Sequence, residues 1–258
     1  MSDNKRLRLT LDSVADEYLC PITLELPYDP VMAEDGNVYE RSAAERHISE
    51  TSSSGRGELR SPVTQRRMGP RLVPSRQARN AIEKLVRSGV INGEKARLWT
   101  EREGEGRFVE DLRVKSESGD EEAMYRLAIC HYSGQRGVKQ DSAIAYSWWI
   151  RSSDLGHVKS MGMAGYMLVE GIGTEPCKSY GMALLGTAAG MGSETAAFFL
   201  GLWHHGGEYG LPEIECRARY WLQRVSNNQC EHKHMSPFFP DKATEILNAM
   251  DETYVNEP

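Results

Sequence analysis

The sequence predicts an α+β segment of short elements followed by an all-α solenoid of helical repeats. Three observations carry this. Turn-forming residues crowd the stretch from about Asp16 to Val90. A unit of 36 to 37 residues recurs from Gly119 onward. Between the two lies a charged, helix-prone stretch.

In the first segment, proline and glycine punctuate short elements: "CPIT", "LPYDP", "EDGN", "TSSSGRG", "SPVT" and "MGPRLVP". "VMAEDGNVYER" predicts a hairpin, with Val31 and Met32 on one arm and Val38 and Tyr39 on the other. Asp35–Gly36 supplies its turn. Glu40–Glu50 predicts a short helix, with Ser42 as its cap and Glu45 three residues on. "TSSSGRGE" reads as a surface loop. "SRQARNAIEKLVRSG" predicts a second helix. Ser75 caps it, Ala78, Ile82, Leu85 and Val86 form its apolar stripe, and Gly89 stops it. The expected boundaries are 13–90 for this domain and 91–118 for a helical connector, with "GEG" as a break inside it.

The repeats occupy 119–228, in three units starting at Gly119, Gly156 and Gly192. Ala123, Ser160 and Ala196 correspond, as do Ala128, Gly165 and Gly201, and Gly134, Gly171 and Gly207. Leu127, Leu168 and Leu200 supply bulk nearby, and Trp148, Leu185 and Trp221 align in the second helices. A period of this length is that of a helix pair which buries its apolar face only by stacking on neighbours. Residues 229–258 follow as a loop and a capping helix over Asp241–Met250.

Composition narrows the function classes. The chain has 258 residues and a net charge of −6. Nucleic acid is not an expected partner, because phosphate binding needs a positive surface. The short basic run Lys5–Arg8 reads as a solvated arm. No signal peptide or membrane-spanning run stands out, and five scattered cysteines lack CxxC spacing. A reducing cytoplasmic or nuclear compartment is expected, with no membrane association.

Chemistry is expected in the first segment. "LCPIT" opens like a zinc knuckle, yet Asp16–Val90 holds only Cys20 and His47 as soft ligands. Two tetrahedral sites need about eight. No metal and no cofactor is therefore expected. Asp29, Asp35, Tyr39, Glu40, Arg41, Ser61 and Thr64 are the groups available to hold the loops instead. Cys20 reads as a small, partly buried hydrophobe. "CEHKH" at Cys230–His234 crowds its ligands on a loop, and the histidines of "WHHGG" follow the repeat pattern.

"YLCPITLELPYDPVMAEDGNVYERSAAERHI" followed by "SPVTQRRMGPRLVPSRQARNAIEKLV" resembles a U-box, a RING-like fold whose zincs are replaced by polar contacts. The resemblance implies a ubiquitin ligase that recruits a ubiquitin-loaded conjugating enzyme and promotes transfer to a substrate lysine. It implies no covalent step on this chain. By the same resemblance, Leu19, Pro21, Ile22, His47 and Pro62 contact the conjugating enzyme. Many members carry a basic residue right after P-V-T, which helps hold the loaded enzyme in its reactive pose. Here Gln65 stands there, with Arg66 next, so these two are the candidates for activation. Some U-boxes pair, which leaves a homodimer open. The repeats resemble the Sel-one-like family, relatives of tetratricopeptide repeats, and imply a platform for a substrate or adaptor protein. The rival reading is a non-catalytic scaffold with a degenerate U-box, kept alive by Gln65 and by His47 where an aromatic is common.

Overall fold

Asp35–Gly36 turns the chain between two short strands, with Gly36 at φ +81°, a region open to glycine. The computed structural model describes residues 15–53, 58–234 and 238–255. The basic run Lys5–Arg8 and the middle of the "TSSSGRGE" loop lie outside them. Strands β1 (Pro30–Ala33) and β2 (Val38–Glu40) pair antiparallel, Val31 opposite Tyr39. A third strand, β3 (Leu72–Pro74), lies on the other side of β1 with Val73 opposite Met32. Three residues are too short to show a period in sequence. Pro74 is tolerated there because an edge strand can spare a donor.

Helix α1 (Arg41–Ser53) follows β2 without a break. Ser42 therefore sits inside the helix and is not its cap. Arg41 N bonds Asp29 O at 3.0 Å, so the chain turns directly from strand into helix. Helix α2 (Arg76–Arg87) has the predicted cap, Ser75 Oγ accepting from Ala78 N at 3.4 Å, and Gly89 beyond its end has φ +75°. Its stripe of Ile82, Leu85 and Val86 packs with Ala15, Leu26, Ile91 and Trp99.

Helix α3 (Gly93–Glu117) runs unbroken through the expected "GEG" stop. Packing overrides propensity here. At Gly106 any Cβ would overlap the Tyr28 hydroxyl, so the glycine admits that ring. Trp99 Nε1 donates to Pro27 O at 3.2 Å, and Arg102 pairs with Glu25 at 2.6 Å. By its internal contacts the chain divides into two units, Met1–Gly106 and Arg107–Pro258.

In the second unit the helix pairs are α4 (Glu121–Ser133) with α5 (Ser142–Asp154), α6 (Val158–Glu170) with α7 (Lys178–Gly190), and α8 (Glu194–Gly206) with α9 (Glu215–Ser226). Asp120, His157 and Ser193 cap the first helix of each pair, and Gly134, Gly171 and Gly207 end it in left-handed conformation. Ala128, Gly165 and Gly201 give the close crossings. A Cβ on Gly165 would stand 2.9 Å from Leu185 Cγ, and one on Gly201 2.8 Å from Leu222 Cγ. The partners in the second helices are thus Trp149, Leu185 and Leu222, not Trp148 and Trp221. The joining loops run 134–141, 171–177 and 207–214, one residue shorter in the middle unit, so a fixed offset slips by one.

Helix α10 (Phe238–Val255) closes the array and begins before the expected Asp241. Phe239, Ala243 and Met250 pack on Ala197, Phe198 and Leu222, while Asp241, Thr244, Glu245 and Asn248 are exposed. Such a polar outer face suits a terminal cap. The "CEHKH" stretch runs beside the start of α8. His232 N bonds Gly192 O at 3.1 Å, and the Glu194 carboxylate accepts His234 N at 2.8 Å. His204 Nδ1 lies 3.0 Å from Pro212 O, as a structural histidine would. Among the described residues no helix is long and apolar enough to cross a membrane.

Candidate functional site

Two loops in the first unit are near-copies. In 20–25, Leu24 N bonds Cys20 O at 2.8 Å and Cys20 N bonds Glu25 O at 2.9 Å. In 61–66, Gln65 N bonds Ser61 O at 3.0 Å and Ser61 N bonds Arg66 O at 2.9 Å. The fifth residue of each, Leu24 and Gln65, has φ +58°. The signal was present in the sequence: C-P-I-T-L-E and S-P-V-T-Q-R share the proline and threonine, with isoleucine against valine between them. Reading them as separate loops hid it.

Polar contacts hold these loops in place. Asp35 is the hub. Its Oδ2 accepts from Ser61 Oγ at 2.5 Å and from Tyr39 Oη at 2.7 Å, and its Oδ1 from Asn37 N at 3.0 Å. Ser61 Oγ in turn accepts from Val63 N and Thr64 N, at 3.1 and 2.9 Å. Burial pushes the Asp35 carboxyl up, but the hydrogen bonds from Ser61, Tyr39 and Asn37 outweigh it and hold it below its ordinary value. Burial, and then the bond to Asp35, push the Tyr39 hydroxyl up. On the other side, Glu40 Oε2 accepts from Tyr28 N and Asp29 N at 2.7 and 3.2 Å, and Arg41 pairs with Asp29 at 2.6 Å. Burial pushes the Glu40 carboxyl up against the pull of those two amides. The sequence reading missed Glu34, which accepts from Gly69 N and Arg71 N at 3.1 and 3.3 Å. A separation of 35 residues leaves no local signal for such a contact.

Between the loops lies a shallow apolar groove. Ile22, His47, Ile48, Pro62, Met68 and Leu72 line it, with the buried Ala33, Tyr39 and Ala44. Three predicted residues, Ile22, His47 and Pro62, thus meet in one place. Ile22 is 38% exposed. His47 is tied down, with Nε2 2.8 Å from Arg60 O. The others do not line the groove. Leu19 is half-buried and packs toward the Ile82 and Trp99 cluster, while Pro21 is exposed. Gln65 and Arg66 are exposed on the second loop. The Gln65 amide donates back to Pro62 O at 3.3 Å. Among the described residues no ion pair reaches Arg66. Leu24 was missed: a bulky residue with positive φ and 69% exposure is costly and points to use. Cys20 is fully buried beside Val31, Ala33, Tyr39 and Ala44. Among the described residues no group of three or more His, Cys, Asp or Glu side chains is arranged to hold a metal.

Family comparison agrees with this architecture. Residues 14–89 match the U-box domain, and residues 121–157 and 195–228 match the Sel1 repeat. WD repeat, SAM and U-box domain-containing protein 1 of Gallus gallus is 45% identical over 76 residues, 29% of this chain and 14% of that protein. ERAD-associated E3 ubiquitin-protein ligase component HRD3A of Arabidopsis thaliana is 29% identical over 75 residues, 28% of this chain and 11% of that protein. The chain thus spans only a small part of these relatives' lengths. A Sel1 repeat protein from Oxalobacter formigenes has 24% sequence identity and a TM-score of 0.41, covering 46% of this chain and 89% of that one. The chain carries a U-box domain followed by Sel1 repeats.

Proposed function

We propose that this chain, a U-box joined to Sel1 repeats, is a RING-type ubiquitin ligase. The groove between the two matched loops receives a ubiquitin-loaded conjugating enzyme. Ile22 and Pro62 are its apolar anchors, Leu24 extends the first, and His47 borders it. Leu19 and Pro21 act by shaping the first loop. Apolar side chains on loops fixed from behind are what a recruiting surface needs. The observation that carries the reading is this pairing: two loops of one backbone pattern, with Ile22 and Pro62 meeting at one groove.

The thioester cysteine belongs to the conjugating enzyme. This chain contributes position and a shift toward the reactive conformer. Arg66 is the better activation candidate, because it carries charge and is exposed, whereas the Gln65 amide is engaged within its own loop. The repeats hold a substrate or adaptor protein, and a cytoplasmic or nuclear site of action goes with the reading. The same engagement of Gln65 favours the second reading, a non-catalytic scaffold.

Self-ubiquitination in a reconstituted reaction, with a panel of conjugating enzymes, separates the two. Wild type runs beside Ile22→Ala and Pro62→Ala. Ladders that vanish in folded variants support the ligase and its groove. Folded wild type that makes no ladder with any enzyme favours the scaffold.

A further inference from the structure

The two loops share a backbone pattern but are braced differently. Loop 20–25 is held from α3, where Arg102 pairs with Glu25 at 2.6 Å. Its counterpart for Glu25 in loop 61–66 is Arg66, which has no such pair among the described residues. Loop 61–66 is held at Ser61 by Asp35 and, in addition, by the residue just before it. The Arg60 carbonyl lies 2.8 Å from His47 Nε2 on α1. A carbonyl oxygen only accepts, so that ring nitrogen carries the proton. The Arg60 guanidinium then crosses the loop, and Nη1 donates to Gln65 O at 3.0 Å. Gln65 is the left-handed residue that turns the loop back, at φ +58°. One residue therefore grips both ends of the loop that carries Pro62. In the first loop the corresponding residue is Leu19, whose side chain has no donor to offer.

The geometry points to Arg60 as a positioning residue for the groove. Its guanidinium fixes how far Pro62 stands from Ile22, and so whether both anchors meet the same partner surface. This rests on the reading of the groove as the seat of the loaded conjugating enzyme. Arginine suits the task because its charge persists at any working pH and its planar donors lose little freedom on binding. Without the clamp, the residue strained at positive φ loses the side-chain donor that reaches its carbonyl from outside the loop.

The test uses the full chain as wild type, Arg60→Ala and Arg60→Lys. Arg60→Ala keeps the carbonyl that His47 needs and the Asp35 hub, so the domain stays folded. Two quantities are read. One is ubiquitin discharge from a loaded conjugating enzyme to free lysine, across that enzyme's concentration. The other is hydrogen exchange of the Gln65 and Arg66 amides. In Arg60→Ala the half-saturating concentration rises about threefold, the size of one solvent-exposed hydrogen bond from a charged donor. The maximal rate stays, and the loop amides exchange faster. Arg60→Lys, with a single ammonium donor, recovers part of both. A merely structural role would lower the maximal rate with the folded fraction and leave half-saturation where it was. Unchanged half-saturation together with unchanged exchange in Arg60→Ala overturns the clamp. If wild type discharges no enzyme of the panel while Arg60→Ala still speeds exchange, the ligase reading falls and the clamp stands.

Discussion

Between Cys20 and Pro74, polar side chains set the distances; between Glu121 and Ser226, apolar ones do. In the U-box, Asp35 gathers Ser61, Tyr39 and Asn37, and Glu34 gathers the amides of Gly69 and Arg71. Its buried apolar clusters are small, one around Val31 and Tyr39 and one around Ile82 and Trp99. In the repeats, Trp149, Leu185 and Leu222 fill the spaces left by Ala128, Gly165 and Gly201. The difference has consequences. Hydrogen bonds are directional and hold irregular loops at set angles, while apolar packing is tolerant of direction but strict about volume. The first unit therefore breaks by losing one acceptor, the second by gaining one methyl.

The largest effect is expected at the hub. Asp35→Ala strands Ser61 Oγ and Tyr39 Oη and should cost about 2–4 kcal/mol, since unpaired buried groups lose their full solvation. Exchange protection over 20–74 should fall while the repeats keep theirs. Equal loss of protection in both units would show that the division is not as drawn. Next comes a volume test in the repeats. In Gly165→Ala the new Cβ would lie 3.0 Å from Gly181 O, a backbone atom that moves only with its helix. A loss of about 1–3 kcal/mol is expected in denaturant melts, as for overpacking. Gly186→Ala is its control: nothing lies within 4 Å of that position, and a gain of about 0.5–1 kcal/mol in helix propensity is expected.

A smaller effect concerns the groove alone. Ile22→Ala should weaken binding of a conjugating enzyme by about 1–2 kcal/mol and leave the fold in place. If circular dichroism finds the variant unfolded, Ile22 is core and the groove has lost an anchor. The smallest effect is on acid stability. The Asp35 carboxyl sits below its ordinary value when folded. Its contribution is thus present above about pH 4 and is lost as pH falls through the folded value. Glu40, pushed up by burial, runs the opposite way: its contribution is full at low pH and is lost as pH rises through its folded value. The readout is therefore the difference between wild type and Asp35→Asn, whose acid limb should be flatter. Parallel limbs for the two proteins would remove Asp35 from the balance.

Legibility followed the range of the interaction. The Asp35–Gly36 turn, the Ser75 cap and the glycines that end each first helix are local, so residue type alone announces them. The repeat period was readable because the same packing demand recurs. Its register in the second helices was not, because a loop one residue shorter shifts Leu185 against its neighbours. In the site, Ile22, His47 and Pro62 were readable from their motifs, but Leu24 was not, since its exposure and left-handed backbone are properties of the folded loop.

By itself the sequence determined the two-part order, the hairpin, the Ser75 cap and the three repeat units, because each is decided by a few adjacent residues. Only the tertiary structure decided that Ser61 would meet Asp35 across 26 residues, that Glu34 would reach Gly69, and that β3 would join β1. It also decided that α3 would pass unbroken through Gly104 and Gly106. Those outcomes depend on which groups come together once distant segments pack, and nothing in a residue's immediate neighbours carries that distance.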